Sequence, residues 1–465
     1  MIVMKFGGSS VDTAEAIERV EGIVRGRLER RPVVVVSAMA KTTRDLLESA
    51  AAAAAGEGTR VHALFDRIEL YHRREAYAVV PPAGRPALDA MLDPWFNELR
   101  TRLDEILAAR SLTPRIADTI AGYGELLASA MLSFAFSHAG IDSSWVDCRR
   151  VMVTDDDFTR ARPLYGPTDA RLRSCLLPLL RQGTVPVVGG YVGATLQGMT
   201  TTLGKEGSDF SAAIVGAALG AEEIQIWTDV DGMRTADPRL YPGARRVRTL
   251  SFAEALELSC SGAKKPHYGT LGPASRAGVP IHILDSHQPG AEGTVIGRRN
   301  PEAPPVVKSI TCRSNAHLIS ARATQAKVGD GDGDGLLASL GEVCERFRPA
   351  LLVLDGQGGL ADLALDREDR LSEVHAALLA AVGQSAEMWI TRGRSVVSLV
   401  SEDLATCPEL VERTLAAGRG CEPRLVLRGV AAPTVRLLAD EEQLPELVAA
   451  LHEELLPGGI DEVVE

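Results

Sequence analysis

The sequence predicts an α/β protein whose mainly parallel central sheet is covered by helices, followed by a ferredoxin-like (βαββαβ) C-terminal region. Three observations carry this. Apolar runs recur through the first part of the chain at "IVMKF", "PVVVVSAM", "TVPVVGG", "EEIQIWTD" and "VPIHIL", separated by helical stretches. These runs lack clean polar alternation, as strands buried on both faces do. The proline-rich, charged stretch "RRNPEAPPVVK" at 298–308 breaks the rhythm, and shorter strands and helices follow it.

A chain of 465 residues exceeds one ordinary core. The expected domains are 1–298 and 306–465. Net charge is −12, which excludes a general nucleic-acid face while allowing a local cationic pocket. Seven scattered cysteines without CxxC spacing argue against a disulfide framework or a zinc site. No signal-peptide pattern and no bilayer-length apolar run is legible, so a cytoplasmic protein without membrane contact is expected.

In chain order, "MIVMKFGGSS" opens with a buried-looking strand, a lysine and a glycine turn. Gly7 and Gly8 remove Cβ obstruction, and Ser9, Ser10 and Asp12 are placed to cap a helix starting near Thr13, whose free N–H groups attract phosphate. Lys5 there either neutralises a phosphoryl group or is an ordinary lysine before a βα turn. Residues 42–139 read as a helical insertion built from "LLESAAAAAA", "PALDAMLDPWFNELRTRLDEILAAR" and "GELLASAMLSFAFSHAG".

"GMTTTLGKEGSDFSAAIVGAALG" is a Thr-rich strand, a turn at 204–207, Ser208 as N-cap and an apolar helix. Lys205 and Asp209 flank that helix start, where a carboxylate is either a dipole partner or an organiser of phosphate. "IWTDVDGMRTADPR" and "SCSGAKKPHYGT" add Asp229, Asp231, Lys264 and Lys265, which turn chemistry and solvation would also explain. There is neither a P-loop nor a strand-linked G-x-G-x-x-G. The tail reads as strands at "HLISARAT", "ALLVLD", "LADLALD", "SVVSLVSED" and "PTVRLLAD", with helices near 335–347, 371–382, 408–417 and 441–456. "GDGDGDGLLASLGEVCERF" matches the start of a calcium loop at Asp330, Asp332, Asp334 and Gly335, but Gly341 stands where the template requires Glu.

Taken together, "KFGGSSV", "VVVSAMAKTT", "GYGELLAS", "WVDCRRVMVTDD", "GGYVGATLQGMTTTLGKEGSDFSAA", "IWTDVDGMRTADPRL" and "SFAEALELSCSGAKK" resemble the aspartokinase family of the amino-acid kinase superfamily. The tail resembles that family's paired ACT regulatory domains. The resemblance implies an amino-acid-kinase-like sandwich and transfer of the ATP γ-phosphate to the side-chain carboxylate of L-aspartate. That gives 4-phospho-L-aspartate, the first step towards lysine, threonine and methionine. It implies Mg2+ held mainly by phosphate oxygens and water, a homodimer, and feedback by an amino acid at the ACT domains, with lysine as the leading choice.

It also implies residue roles. Lys5 and Asp209 are catalytic. Ser37, Thr43, Glu125, Tyr191, Lys205 and Ser208 bind the amino acid, Glu125 through its ammonium. Lys5, Gly7, Gly8, Ser10, Thr228, Asp229, Arg234, Arg239 and Lys264 bind the nucleotide. Replacing Lys5 is expected to cut turnover with the fold intact. The family usually has Arg-Gly-Gly-Ser-Asp where this chain has Lys205-Glu206-Gly207-Ser208-Asp209, so the α-carboxylate clamp is a lysine without the bidentate fork. Glu206 adds a negative charge and a Cβ, "GAKKPHYGT" replaces a Gly-Ala-Lys-Val-Leu-His-Pro pattern, and Arg234 stands where tyrosine is frequent. Two alternatives therefore stay open: an acyl-phosphate kinase for another amino acid, or a catalytically weak amino-acid-binding paralogue.

Overall fold

A computed structural model describes residues 1–262, 268–299, 306–323, 351–355, 360–365, 371–382, 386–421, 424–428 and 434–456. The chain divides into two compact units, Met1–Met233 with Pro266–Arg298, and Arg234–Lys265 with Arg299–Glu465. The segment after Met233 thus groups with the C-terminal part, although the sequence rhythm gave no sign of a break there.

The first unit runs β1 (Ile2–Phe6), α1 (Ala14–Arg25), β2 (Pro32–Val36), α2 (Thr42–Ala55), α3 (Gly58–Val79), α4 (Arg85–Ala109), α5 (Pro114–His138), β3 (Ser143–Val146), β4 (Val153–Thr154), α6 (Tyr165–Arg181), β5 (Val185–Gly189), β6 (Val192–Thr195), β7 (Thr200–Thr202), α7 (Gly207–Leu219) and β8 (Glu223–Thr228). A helix at Tyr268–Ala277 and strands at Ile281–Asp285 and Thr294–Gly297 complete it.

Its main sheet has the order β3-β5-β2-β1-β8-(Ile281–Asp285)-(Thr294–Gly297), parallel except for the final pair. Each apolar run read from the sequence supplies one of the parallel strands. The polar "SSWV" of β3 escaped notice because an edge strand needs no apolar run. β1 and β2 are buried at every position, which is why they carry no alternation. A small sheet of order β4-β6-β7 stands apart from the main one.

Helices α2 to α5 are the helical insertion, and their apolar faces form a core that includes Leu46, Phe65, Leu92, Phe96, Leu99 and Leu127. Among the described residues α5 is the one helix long and apolar enough to cross a membrane, and 89% of that stretch is buried inside the fold. It is a core helix, and the acids Asp118 and Glu125 lie within it.

Two caps differ from expectation. Thr13 caps α1, its Oγ1 accepting from Ala16 N, in place of Ser9, Ser10 or Asp12. Those residues belong to a separate 3-10 turn over Gly8–Ser10 and the bend after it. The N-cap of α7 is Glu206, with no side-chain cap bond, and Ser208 lies inside the first turn. Left-handed backbone at Gly204 and Glu206 puts the N-cap two residues before the serine.

The second unit is an antiparallel sheet of order Leu351–Asp355, Leu360–Leu365, Ser309–Ala323, Ala386–Val400, Thr434–Asp440, Arg424–Arg428. Helices Leu371–Val382, Pro408–Gly418 and Leu444–Leu455 accompany it. Val397, Leu399, Leu410, Leu437, Leu447 and Leu451 fill its core. The short strand "RLVLR" had not been read from the sequence. The helix expected near 335–347 and the acidic calcium-like loop lie outside the described residues.

Candidate active site

In a parallel sheet the strands present their carboxyl ends together, and a crevice opens where the chain order reverses. β1 is such a place, with β2 on one side and β8 on the other. The sequence ends these strands with chemistry. Lys5 sits near the end of β1, Ser37 follows β2, Tyr191 follows β5, and Thr228 ends β8.

A cleft of about 530 Å³ opens there. Lys5, Gly8, Ser37 and Thr43 line it, with Glu125, Tyr191, Lys205 and Ser208. Eight residues picked from stretches far apart in sequence are therefore neighbours. Ala38, Ala40, Thr159, Gly204, Glu206 and Gly207 also line it.

Lys5 Nζ lies 2.5 Å from Asp209 Oδ1, with both side chains almost fully buried. Apart from this contact, neither Asp209 oxygen has a hydrogen-bond partner among the described residues. Charge attraction holds the two groups together, and a lysine ammonium carries three donors, more than one carboxylate oxygen can take. This burial argues against the expectation that Lys5 can be removed with the fold intact. A carboxylate left alone at this depth is strongly destabilising.

Glu125 is buried in the middle of α5, and its Oε2 has no hydrogen-bond partner among the described residues. Burial pushes its carboxyl up to about 8, against the opposing effects of the Ala38 amide and the Lys5 charge. A buried polar atom of this kind beside a cleft calls for a physical explanation.

Gly8 is required by close packing, since a Cβ there would meet Ala38 O at 2.7 Å. A Cβ at Gly7 would sit 3.7 Å from Lys5 Nζ, so a longer side chain would crowd the ammonium. Ser10 is buried with its Oγ 3.2 Å from Ser286 Oγ, and Ser286 also bonds Thr228 O. Ser10 thus braces the turn and is not among the residues lining the cleft. Thr228 Oγ1 donates to Asp229 Oδ1 at the end of β8.

Two further nucleotide candidates lie in the second unit. Arg234 donates to Ala244 O, and Arg239 is exposed and held by Asp237. Lys264 lies outside the described residues.

Backbone strain concentrates at the cleft. Seven described non-glycine residues have positive φ, and four of them, Ala40, Thr159, Tyr191 and Glu206, line it. Such conformations persist where the surroundings impose them. Sequence reasoning missed Thr159, because a threonine in "DDDFTRARP" carries no turn signal.

Residues 1–285 match the amino acid kinase family. Aspartokinase 2, chloroplastic, of Arabidopsis thaliana is 30% identical over 464 residues, covering 97% of this chain and 83% of its own length. This chain belongs to the aspartokinase family. Among solved structures, E. coli aspartokinase III in complex with aspartate and ADP (R-state) matches with a TM-score of 0.78 at 27% identity, covering 98% of this chain and 99% of that one. The same enzyme in complex with lysine and aspartate (T-state) matches with a TM-score of 0.81, at the same identity and coverage.

The structure gives the family departure at Glu206 a physical reading. Its φ of 56° is one that glycine adopts freely and a residue with a Cβ does not. In this aspartokinase, Glu206→Gly is therefore expected to raise stability by about 0.5–1 kcal/mol after the added chain entropy of glycine. Removing a like charge from the cleft should also lower the aspartate KM a few-fold. Thermal unfolding and steady-state kinetics check both, and an unaltered melting temperature would show that the backbone is unstrained.

Proposed function

We propose that the cleft transfers the γ-phosphoryl group of ATP to the side-chain carboxylate of L-aspartate, giving 4-phospho-L-aspartate and ADP. The observation that supports it is that Lys5, paired behind the cleft wall with the buried Asp209, lines the same cleft as the buried carboxyl of Glu125, whose Oε2 has no hydrogen-bond partner among the described residues. The first suits a phosphoryl group and the second an ammonium.

A carboxylate oxygen of aspartate attacks the γ-phosphorus, and the bond to the β,γ-bridging oxygen breaks. The nucleophile is already ionised, so no general base is needed. Catalysis is then alignment and charge compensation. Lys5 neutralises charge on the transferring group, with Gly7 and Gly8 letting the backbone approach it. Asp209 fixes the Lys5 ammonium. Glu125 receives the substrate ammonium, Lys205 its α-carboxylate, and the Ser37, Thr43 and Ser208 hydroxyls its polar edge, with Tyr191 as a wall. Thr228 and Asp229 stand on the nucleotide side. Ser10 supports the turn from behind, and Arg234, Arg239 and Lys264 belong to the same proposal through the family resemblance. Mg2+, when bound, offsets phosphate charge through phosphate oxygens and water. Asp209 Oδ2, which has no hydrogen-bond partner among the described residues, would help hold it.

The test is a panel of amino acids with ADP release and hydroxylamine trapping of the acyl phosphate. Aspartate should be preferred by a wide margin. Equal or better turnover with another acid would show that Lys205 and Glu206 have rebuilt the pocket. Lys205→Arg refines this, since a bidentate fork should lower the aspartate KM about threefold to tenfold. An unchanged or raised KM would remove Lys205 from the clamp.

Regulation belongs to the same proposal. The solved relative is complexed with lysine, and we expect lysine to inhibit this cytoplasmic enzyme through its C-terminal region, with the chain working as a homodimer. Lysine titration of activity and light scattering test the two statements separately.

A further inference from the structure

Asp118 lies in the second turn of α5, seven residues before Glu125, and no motif marks it. Its side chain is buried. Oδ2 accepts from Thr159 N at 2.8 Å and from Thr202 N at 3.0 Å, and Oδ1 accepts from Thr202 Oγ1 at 2.7 Å. No cation forms an ion pair with it among the described residues. Burial raises its pKa, and these three hydrogen bonds oppose the rise. A buried carboxylate without a cation is tolerated where hydrogen bonds satisfy it, and charge-assisted bonds of this kind are the strong ones, able to fix the groups that donate them.

What they hold is one wall of the cleft. Thr159 has a φ of 73°, a genuine outlier for a β-branched residue, and Asp118 takes up its amide in that conformation. Thr202 ends β7 and leads into the turn that carries Lys205 and Glu206. The Thr202 hydroxyl also meets the phenol of Tyr191, itself at a φ of 63°. The two pieces touch: Ala161 N donates to Thr202 O at 2.9 Å, and a Cβ on Gly204 would lie 3.4 Å from Thr159 O. Thr159, Tyr191 and Gly204 all line the cleft.

We propose that Asp118 is a positioning residue for the amino-acid end of the site: its carboxylate holds Thr159 in a left-handed backbone and Thr202 in place, which sets the wall the substrate packs against. The kinetic part rests on the amino-acid kinase reading above, whereas the structural part does not. Asp118 touches no reacting atom and acts through Thr159 and Thr202. It stands on the same helix as Glu125, so ammonium receptor and wall share one support.

The experiment uses the full chain with Asp118→Ala, Asp118→Asn and Asp118→Ala/Thr159→Gly. Alanine removes all three bonds and should raise the aspartate KM about tenfold or more, with the ATP KM within about twofold, because small misplacements in a site are costly. Asparagine should recover most of the affinity, since its amide oxygen can accept both N–H groups while its NH2 donates to the Thr202 hydroxyl. Glycine at 159 adopts φ > 0 unaided, so the double variant should regain affinity that Asp118→Ala loses. Amide exchange is the readout independent of activity. Asp118→Ala should speed exchange at residues 155–162 and 200–204 while the rest of α5 stays protected. An unchanged aspartate KM, an equal loss for both substrates, no rescue by Thr159→Gly, or unaltered exchange would each overturn the proposal. If wild type releases no ADP with any amino acid, the functional reading fails, and the exchange result still decides whether Asp118 holds the wall.

Discussion

Lys5→Met should lower turnover by about 100- to 1,000-fold, the range for loss of one preorganised charge-stabilising group. It should also destabilise the protein. Lys5 and Asp209 are buried against each other at 2.5 Å, so deleting the cation leaves an uncompensated carboxylate, a change of about 3–5 kcal/mol. The two effects separate in a second variant. Adding Asp209→Asn removes the stranded charge, so the double variant should recover most of the melting temperature and none of the turnover. A Lys5→Met enzyme with near wild-type turnover would take Lys5 off the catalytic list. A single variant as stable as wild type would show that the pair contributes nothing to the fold.

The second large effect concerns Glu125 and pH. Its folded-state pKa is raised to about 8 by burial, so the free enzyme below that pH holds the group mostly neutral. Only the ionised form pairs with the aspartate ammonium. The apparent aspartate KM should therefore fall as pH rises towards about 8, approaching tenfold per unit well below it, and level off above. Glu125→Gln should abolish that slope and raise KM at pH 8 by about 10- to 100-fold, the worth of a charge-assisted hydrogen bond. Stability should move the other way. Between the ordinary carboxylate range and about 8 the folded state holds a proton that the unfolded state has lost, so stability falls as pH rises through that window. Glutamine removes this dependence and should melt higher at pH 8 than wild type. A KM profile flat from pH 6 to 8.5 in wild type would refute the assignment.

Both predictions turn on burial, which the sequence did not disclose. "KFGGSS" announced a lysine at a strand end and "GKEGSDF" an aspartate at a helix start, but neither says that Nζ and Oδ1 meet. The apolar runs were readable as strands because strands covered on both faces must be apolar throughout, and the helical insertion because a surface helix needs an apolar stripe. β3 and the strand "RLVLR" were not, being short and mixed in character. Capping was misread at both glycine turns, since a serine near a helix start is a good cap only if the backbone puts it at the boundary. At α7 the left-handed Glu206 shifted that boundary by two residues.

The sequence by itself determined the α/β rhythm, the helical insertion, the residues that bear chemistry and the family they resemble, because these depend on local periodicity and residue type. Only the tertiary structure decided that eight of those residues share one cleft, that Lys5 answers Asp209, that Glu125 Oε2 has no partner among the described residues, and that Asp118 accepts from the amide of a left-handed Thr159 beside them. Desolvation, ion pairing and imposed backbone strain arise from groups distant along the chain, so they exist only once the sheet has brought its strand ends together.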